Sequence, residues 1–477
     1  MQRLFKSADI ESSLGIFFDS FIKIMIAITV FSSVLHFTLD DIFKDILPSF
    51  GISIVVLQVF LLIYCLYLNK RGNTEAIPLP SGISANRFFV WIFAIMVPTY
   101  TATNNLALSL AVGVGANFLS SLLTMILALF SNIILRYIPS AALFATVSGA
   151  SMAWLILSPI KEAFNTPVIA FVCFFVVLLS YIGNLKIKIP PLLLSVVLGI
   201  IIAFATNNND IVAVKSSLSI LGFYLPSFFD NLLIGIKQAY NFLPIILAIT
   251  IVELIASIQG VEQAKNLNAK YNTQFSIFGV GFVSLLSSFI GNPFTLSVLW
   301  GYSTWTKIGA SRNYVIYLGI LFILLSLSGI SFFLMQIIPV ASVIPIIVFI
   351  GLINIADTIK MHSDKYYLPI IIGMIFPLMD FLKTTTSDLS VSLNFLANGA
   401  TIISLFWGSI FVFLIDKKYL NVAIMFVICS VLSFVGLIHS NSIQLFADTT
   451  FTIIYLVFAL IFGVYYLVER FNLKKNI

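Results

Sequence analysis

Glu253 is the residue in this sequence best placed to do chemistry. It stands in the apolar stretch Leu247-Ala-Ile-Thr-Ile-Val-Glu253-Leu-Ile-Ala-Ser-Ile258, which carries no other charge. A carboxylate at the centre of a membrane helix costs at least about 2.5–3.5 kcal/mol by insertion scales, so such a residue is a functional candidate by default. An acid there can accept N–H donors from a solute, or load and release a proton. The plainer alternative is a structural glutamate bonded to irregular backbone beside it.

Two segments of such irregular backbone stand out. One is Ile77-Pro78-Leu79-Pro80-Ser81-Gly82-Ile83, the other Phe289-Ile290-Gly291-Asn292-Pro293-Phe294-Thr295. Proline removes a backbone donor and blocks the preceding turn, so neither segment continues an ordinary spanning helix. Inside a bilayer, non-helical backbone must face protein or a wet cavity. Corresponding interrupted segments in two halves of a transporter are the best sequence pointer to its binding site.

The elements that must hold these residues are membrane helices. Of 477 residues, 60% are hydrophobic and 9% charged, against about 25% charged in soluble domains. Apolar runs long enough to cross a hydrocarbon core of about 30 Å recur along the whole chain. They predict sixteen segments, near 15–37, 51–69, 83–100, 105–135, 138–160, 167–185, 190–207, 238–262, 274–290, 292–306, 312–336, 338–357, 365–382, 392–415, 420–438 and 449–469. An amphipathic stretch near 216–232 separates the seventh from the eighth. Arg3, Lys6, Asp9, Glu11 and Asp19 make the N-terminus unlike a cleavable signal peptide. With both termini placed in the cytoplasm, nineteen of the 25 lysines and arginines fall inside, Arg87 and Arg136 among them. Five fall outside (Lys44, Lys161, Lys215, Lys237 and Lys383), and Lys23 lies within the first span, where it is expected to pair with Asp19 one turn earlier. That asymmetry is what the positive-inside rule expects.

A weak repeat adds to this. Ile138-Pro139-Ser140-Ala141 opens span five and Ile338-Pro339-Val340-Ala341 opens span twelve. Seven spans separate them, an odd number, so the second unit enters the membrane inverted. Proline at a helix start is common on its own; its agreement with the span count is what gives it weight. Spans three and ten, the two broken ones, are equivalent positions in the repeat. Gly113 and Gly115 in span four predict close helix packing.

Other chemistries find no pattern. Cys65, Cys173 and Cys429 each sit in an apolar run, and His36, His362 and His439 lie at or beyond the edges of such runs. No Cys-x-x-Cys, no Ser/His/Asp set and no phosphate-binding loop is present. The expectation is therefore no enzyme, no cofactor, no metal and no nucleic-acid partner, but a small-molecule substrate and a lipid bilayer, with a homodimer compatible.

The stretch from about 244 to 357 resembles the nucleobase–cation symporter 2 family, which includes uracil, xanthine and ascorbate permeases, and the related adenine/guanine/hypoxanthine permeases. The motifs are Ile251-Val-Glu253-Leu, Phe289-Ile-Gly291-Asn-Pro-Phe-Thr295, the Ile338-Pro339 helix start and Gly351-Leu-Ile. In the first half, Ala76-Ile-Pro-Leu-Pro-Ser-Gly-Ile83 and Gly15-Ile-Phe-Phe-Asp19 are similar to the family's span-three and span-one starts, so the likeness covers about residues 12–416. It implies an all-α polytopic membrane protein of the seven-plus-seven inverted-repeat transporter fold, with short strands in spans three and ten. A core of spans one to four and eight to eleven would move, elevator-like, against a gate of spans five to seven and twelve to fourteen. By this reading residues 1–207 form the first repeat, 208–237 a connector, 238–416 the second repeat, and 417–477 two additional spans in the cell membrane.

The resemblance also implies a substrate site and proton symport. Glu253 would anchor the nucleobase and couple the proton. Ser81, Gly82, Ile83, Ser84 and Ala85 would line the site from one half, and Phe294, Thr295, Val298, Leu299 and Trp300 from the other, with Ser257 on Glu253's own span. This sequence departs from the pattern in three places. Trp300 stands where many members have a second glutamate, Ser257 where the uracil type has histidine, and Ala256 where the purine type has an acid. Two alternatives therefore stand beside a nucleobase permease: a small-anion carrier on the same fold, and a sensor or scaffold derived from a transporter.

Overall fold

The computed structural model describes residues 6–475 apart from 34, 36, 39–40, 73–75, 184–188, 210 and 387–389; His36, Lys186 and Lys188, together with Arg3, therefore lie outside the described residues. Fifteen of the sixteen predicted segments fall mainly on helix, and the tenth, near 292–306, is helical only from Tyr302. Among the described residues, seven helices are by themselves long and apolar enough to cross a bilayer: Ile42–Lys70, Leu106–Ala128, Ser140–Ala163, Leu232–Asn266, Val340–Met361, Asp364–Thr385 and Thr449–Phe471. Two more spans are bent pairs, Tyr314–Leu327 with Ile330–Ile337 at 99° and Val391–Ala397 with Ala400–Ile415 at 74°. Pro167–Tyr181, Pro191–Ala205, Thr273–Ser288 and Tyr419–Phe434 are shorter apolar helices. The first span is the helix Ser7–Ser33. The chain is an integral membrane protein.

Spans three and ten are the exceptions to continuous helix. The strand β1 (Ser81–Ile83) precedes the helix Ala85–Val90, and the strand β2 (Leu296–Val298) precedes the helix Tyr302–Ile308. The two strands pair antiparallel, with Ser81 opposite Val298, Gly82 opposite Ser297 and Ile83 opposite Leu296. A two-fold axis lying in the membrane plane generates an antiparallel pair, as an inverted repeat requires. The mostly helical chain, its two broken spans with paired short strands and the two helices at its C-terminal end match the features expected of the inverted-repeat fold. Both Ile-Pro motifs sit immediately before a helix, which starts at Ser140 in one half and Val340 in the other.

The chain forms two compact units. The first comprises Met1–Ser131 and Pro159–Ile350, the second Asn132–Ser158 and Gly351–Ile477. Within the first, the strands are held by four helices: Ser7–Ser33 and Leu47–Lys70 against β1, Leu243–Asn266 and Thr273–Ser288 against β2. Leu106–Ala128 packs on Leu232–Ala239 so closely that a Cβ added to Gly115 would overlap the Gly235 backbone. The predicted small-residue contact of span four is therefore met. Within the second unit, Ser140–Ala150 packs against Tyr367–Thr385 and Ala400–Ile415, with Ala141, Ala145, Ile370 and Val412 as a core. Tyr419–Phe434 and Thr449–Lys475, the two additional helices, pack on each other.

Candidate functional site

A two-stranded ribbon inside a bilayer has backbone groups with no water to satisfy them. The sequence supplies side chains for that purpose. Pro78 and Pro80 keep the approach to β1 extended, and three distant tyrosines bond to it. Tyr271 donates to the Ile77 carbonyl at 2.7 Å, Tyr314 to the Pro78 carbonyl at 2.7 Å, and the Ile77 N–H donates to the Tyr302 hydroxyl at 3.2 Å. On β1 itself, Gln58 donates to the Ser81 carbonyl at 3.0 Å and to its hydroxyl at 2.9 Å. Lys23 donates to the Ile83 carbonyl at 2.9 Å while paired with Asp19 at 2.6 Å. The expected Asp19–Lys23 pair is present, and it also closes the end of the strand.

The second half is braced in the same way. Asn117 donates to the Asn292 carbonyl at 2.8 Å, Asn292 accepts from the Phe294 N–H at 2.9 Å, and the Leu296 N–H donates to Ser284 at 3.0 Å. Gly301, at φ 113°, ends the extended segment in the region glycine alone enters readily. Its N–H donates to Gln263 at 3.0 Å.

Glu253, 1% exposed, lies beside the paired strands. Ser84, the N-cap of the helix after β1, donates to Glu253 Oε1 at 2.5 Å. Ser297, the central residue of β2, donates to Glu253 Oε2 at 3.3 Å. One carboxylate is thereby bonded to both broken spans. Arg87, 2% exposed, reaches the same point. Its Nη1 donates to the Leu296 carbonyl at 3.3 Å and to the Ser297 hydroxyl at 3.4 Å. Ser297 accepts from the guanidinium and donates to the carboxylate, so a positive and a negative side chain are joined through one hydroxyl. Arg87 Nε is buried without a hydrogen-bond partner.

Arg87 corrects the sequence reading, which placed it among the cytoplasmic charges. The entry to span three is spent on β1, so the helix begins inside the protein and its third residue, Arg87, points into the site. The signal for it was the pairing of a broken span with an early arginine, which a side-counting rule treats as a loop charge.

The other expected site residues divide. Ser81, Gly82 and Ile83 form β1, and Val298 completes β2. Ala85 opens the following helix, its side chain lying outside the described residues. Leu299 donates its N–H to the Pro80 carbonyl at 2.8 Å. Ser257 is buried on the same helix as Glu253. Thr295 is buried with its hydroxyl unpartnered. Phe294 turns its ring into an aromatic cluster with Phe88, Phe31 and Phe50, at centroid distances of 5.1, 6.3 and 6.3 Å. Trp300 donates its indole N–H to the Ala256 carbonyl at 3.1 Å, so the residue in place of the second acid is held against span eight.

No family model and no curated protein matches this chain, so the nucleobase-permease resemblance rests on its motifs alone. Among solved structures, the transmembrane domain of BicA, a bicarbonate transporter from a cyanobacterium, is similar at 14% identity and a TM-score of 0.42, over 76% of this chain and 96% of that one. SLC26A9 is similar at 14% identity and a TM-score of 0.47, over 86% of this chain and 65% of that one.

Proposed function

We propose that this protein is a secondary active transporter of small, planar, polar solutes of the nucleobase type, with Glu253 as the substrate anchor and proton carrier. The observation that carries the reading is a buried carboxylate bonded to Ser84 of one repeat and Ser297 of the other at the crossing of two broken spans. A solute that offers N–H donors to Glu253 exchanges with those hydroxyls, and its arrival or departure is felt by both halves. Irregular backbone on each side supplies further donors and acceptors, the arrangement transporters use near the midplane. In this reading residues 1–207 and 238–416 act as the two inverted repeats, joined by 208–237. An elevator-like shift of a core against a gate carries the solute, and both termini face the cytoplasm.

A second reading has its own observation. Arg87 brings a buried positive charge with an unpartnered Nε to the same point, which suits a small anion. Expression in cells stripped of their own uptake systems, with labelled purines, pyrimidines, small carboxylates and inorganic anions, separates the two. Glu253→Gln is expected to lower nucleobase uptake at least tenfold. Unchanged uptake in that variant removes the anchor role, and competition by inorganic anions but not by bases moves the assignment to the second reading.

A further inference from the structure

We propose that the second compact unit holds a binding site for a phosphate group, presented by an anionic phospholipid or by a soluble phosphate, at the start of the helix that opens at Ser140. The site is separate from Glu253 and does not rest on the transport reading. A cavity of about 270 Å³ lies there, lined among others by Arg136, Tyr137, Ser140, Tyr366, Asp416 and Lys418. Its volume is near the lower end of small-molecule sites, about 300 Å³.

Three features of the cavity select a phosphate. The first is charge. Arg136 and Lys418 line it and Lys365 stands beside it, against a single carboxylate, Asp416. That carboxylate is already engaged: Lys365 is 2.8 Å away, the Tyr366 hydroxyl donates at 2.9 Å, and Lys418 lies at 3.6 Å. Asp416 therefore gathers the cations and leaves a surplus of positive charge. The second is the backbone. Pro139, the N-cap, has no N–H and no side-chain cap bond, while Ala142 and Leu143 already donate to its carbonyl. The amides of Ser140 and Ala141 have no carbonyl one turn back to accept them, and they add donors beside the cationic side chains. The third is position. Arg136 precedes span five, and Asp416 to Lys418 link spans fourteen and fifteen, so the cavity lies where spans end and headgroups begin. Exposed Tyr137 lines it, and exposed Ile133, Leu420 and Ile424 lie on the two helices, Ser131–Tyr137 and Tyr419–Phe434, that carry the lining residues Arg136 and Asn421, offering apolar surface for acyl chains. Basic pockets between helices at a membrane face bind anionic headgroups. Isolated surface ion pairs contribute little to stability, whereas a concave cluster of this kind recognises a ligand.

Thermal unfolding of the purified full chain in mixed micelles tests this. Phosphatidylglycerol is expected to raise the Tm of the unaltered protein by a few degrees more than phosphatidylcholine does. The double variant R136Q/K418Q is expected to lose at least half of that gain. R136K/K418R, which keeps both charges, retains it, as does Lys270→Gln, an exposed lysine outside the cavity. A parallel arm with inorganic phosphate and no added phospholipid identifies the source: a gain there that R136Q/K418Q abolishes assigns the site to soluble phosphate. The proposal is overturned if neither phosphatidylglycerol nor phosphate stabilises the unaltered protein. It is equally overturned if R136Q/K418Q gains as much as the unaltered protein, or if R136K/K418R or Lys270→Gln loses the gain.

Discussion

Arg87 and Glu253 bring opposite charges into a dry site and share one hydroxyl, that of Ser297. Removing one member of a buried charged set leaves the other uncompensated, at a cost of roughly 3–5 kcal/mol. Arg87→Met is therefore expected to destabilise the protein by about that amount, read as a fall in unfolding temperature in detergent. Adding Glu253→Gln to Arg87→Met should recover part of the loss, since the remaining charge disappears too. A double variant as unstable as the sum of the two singles would mean that the charges do not couple. Glu253 was legible in the sequence because a carboxylate in an apolar run is costly to keep and stands out from its neighbours. Of its partners, Ser84 was expected in the site through the family resemblance, whereas Arg87 and Ser297 were not, since they lie 166 and 44 positions away along the chain. Only the pairing of the two strands brings them to it.

At the scale of elements, the broken spans are held by close packing and by side chains that replace missing backbone partners. Helix Leu106–Ala128 approaches Leu232–Ala239 through Gly115 and Gly235, and a Cβ at either position would overlap backbone of the other helix. Backbone cannot rotate aside as a side chain can. Gly115→Ala is accordingly expected to destabilise by about 1–3 kcal/mol, although alanine is ordinarily the better helix former. A thermal unfolding comparison checks this, and a stability gain would refute the close contact. The proline-rich stretches predicted where helices break, and the glycines of span four predicted a tight contact. The three tyrosine hydroxyls that satisfy Ile77 and Pro78 were not foreseeable, since Tyr271, Tyr302 and Tyr314 are ordinary aromatic residues in an aromatic-rich chain.

Across the whole molecule, the two additional C-terminal helices are tied to their unit through the loop that joins them. His439 donates from Nδ1 to the Phe395 carbonyl at 2.7 Å and accepts at Nε2 from Tyr455 at 2.6 Å, while Trp407 donates to Tyr455 at 2.9 Å. Its ring stacks on Phe451 at 4.1 Å. Burial holds the imidazole below its usual value near 6.5, against the opposing pull of the Phe395 carbonyl and Asp448. As pH falls the unfolded chain takes this proton before the folded one does, so stability rises with pH in that range. The contribution is complete above about pH 6.5 and is lost below it. The unaltered protein should lose more unfolding temperature between pH 7.5 and 5.5 than His439→Asn, which tolerates the positive φ of 62° at this position. Equal losses would show that His439 does not sense this change.

The sequence by itself determined that the chain crosses a membrane many times, because apolar runs of that length have no other stable setting. It also determined where two spans must break, because proline withdraws the donors a helix needs, and it singled out Glu253 as the acid to examine. The tertiary structure decided what that acid touches and that Arg87 belongs beside it. It also decided that Lys365 and Lys418 gather around Asp416 within the second unit. The physical reason is the same in each case. Hydropathy and proline act locally along the chain, whereas hydrogen bonds and charge pairing in a dry interior depend on which distant elements are brought within about 3 Å.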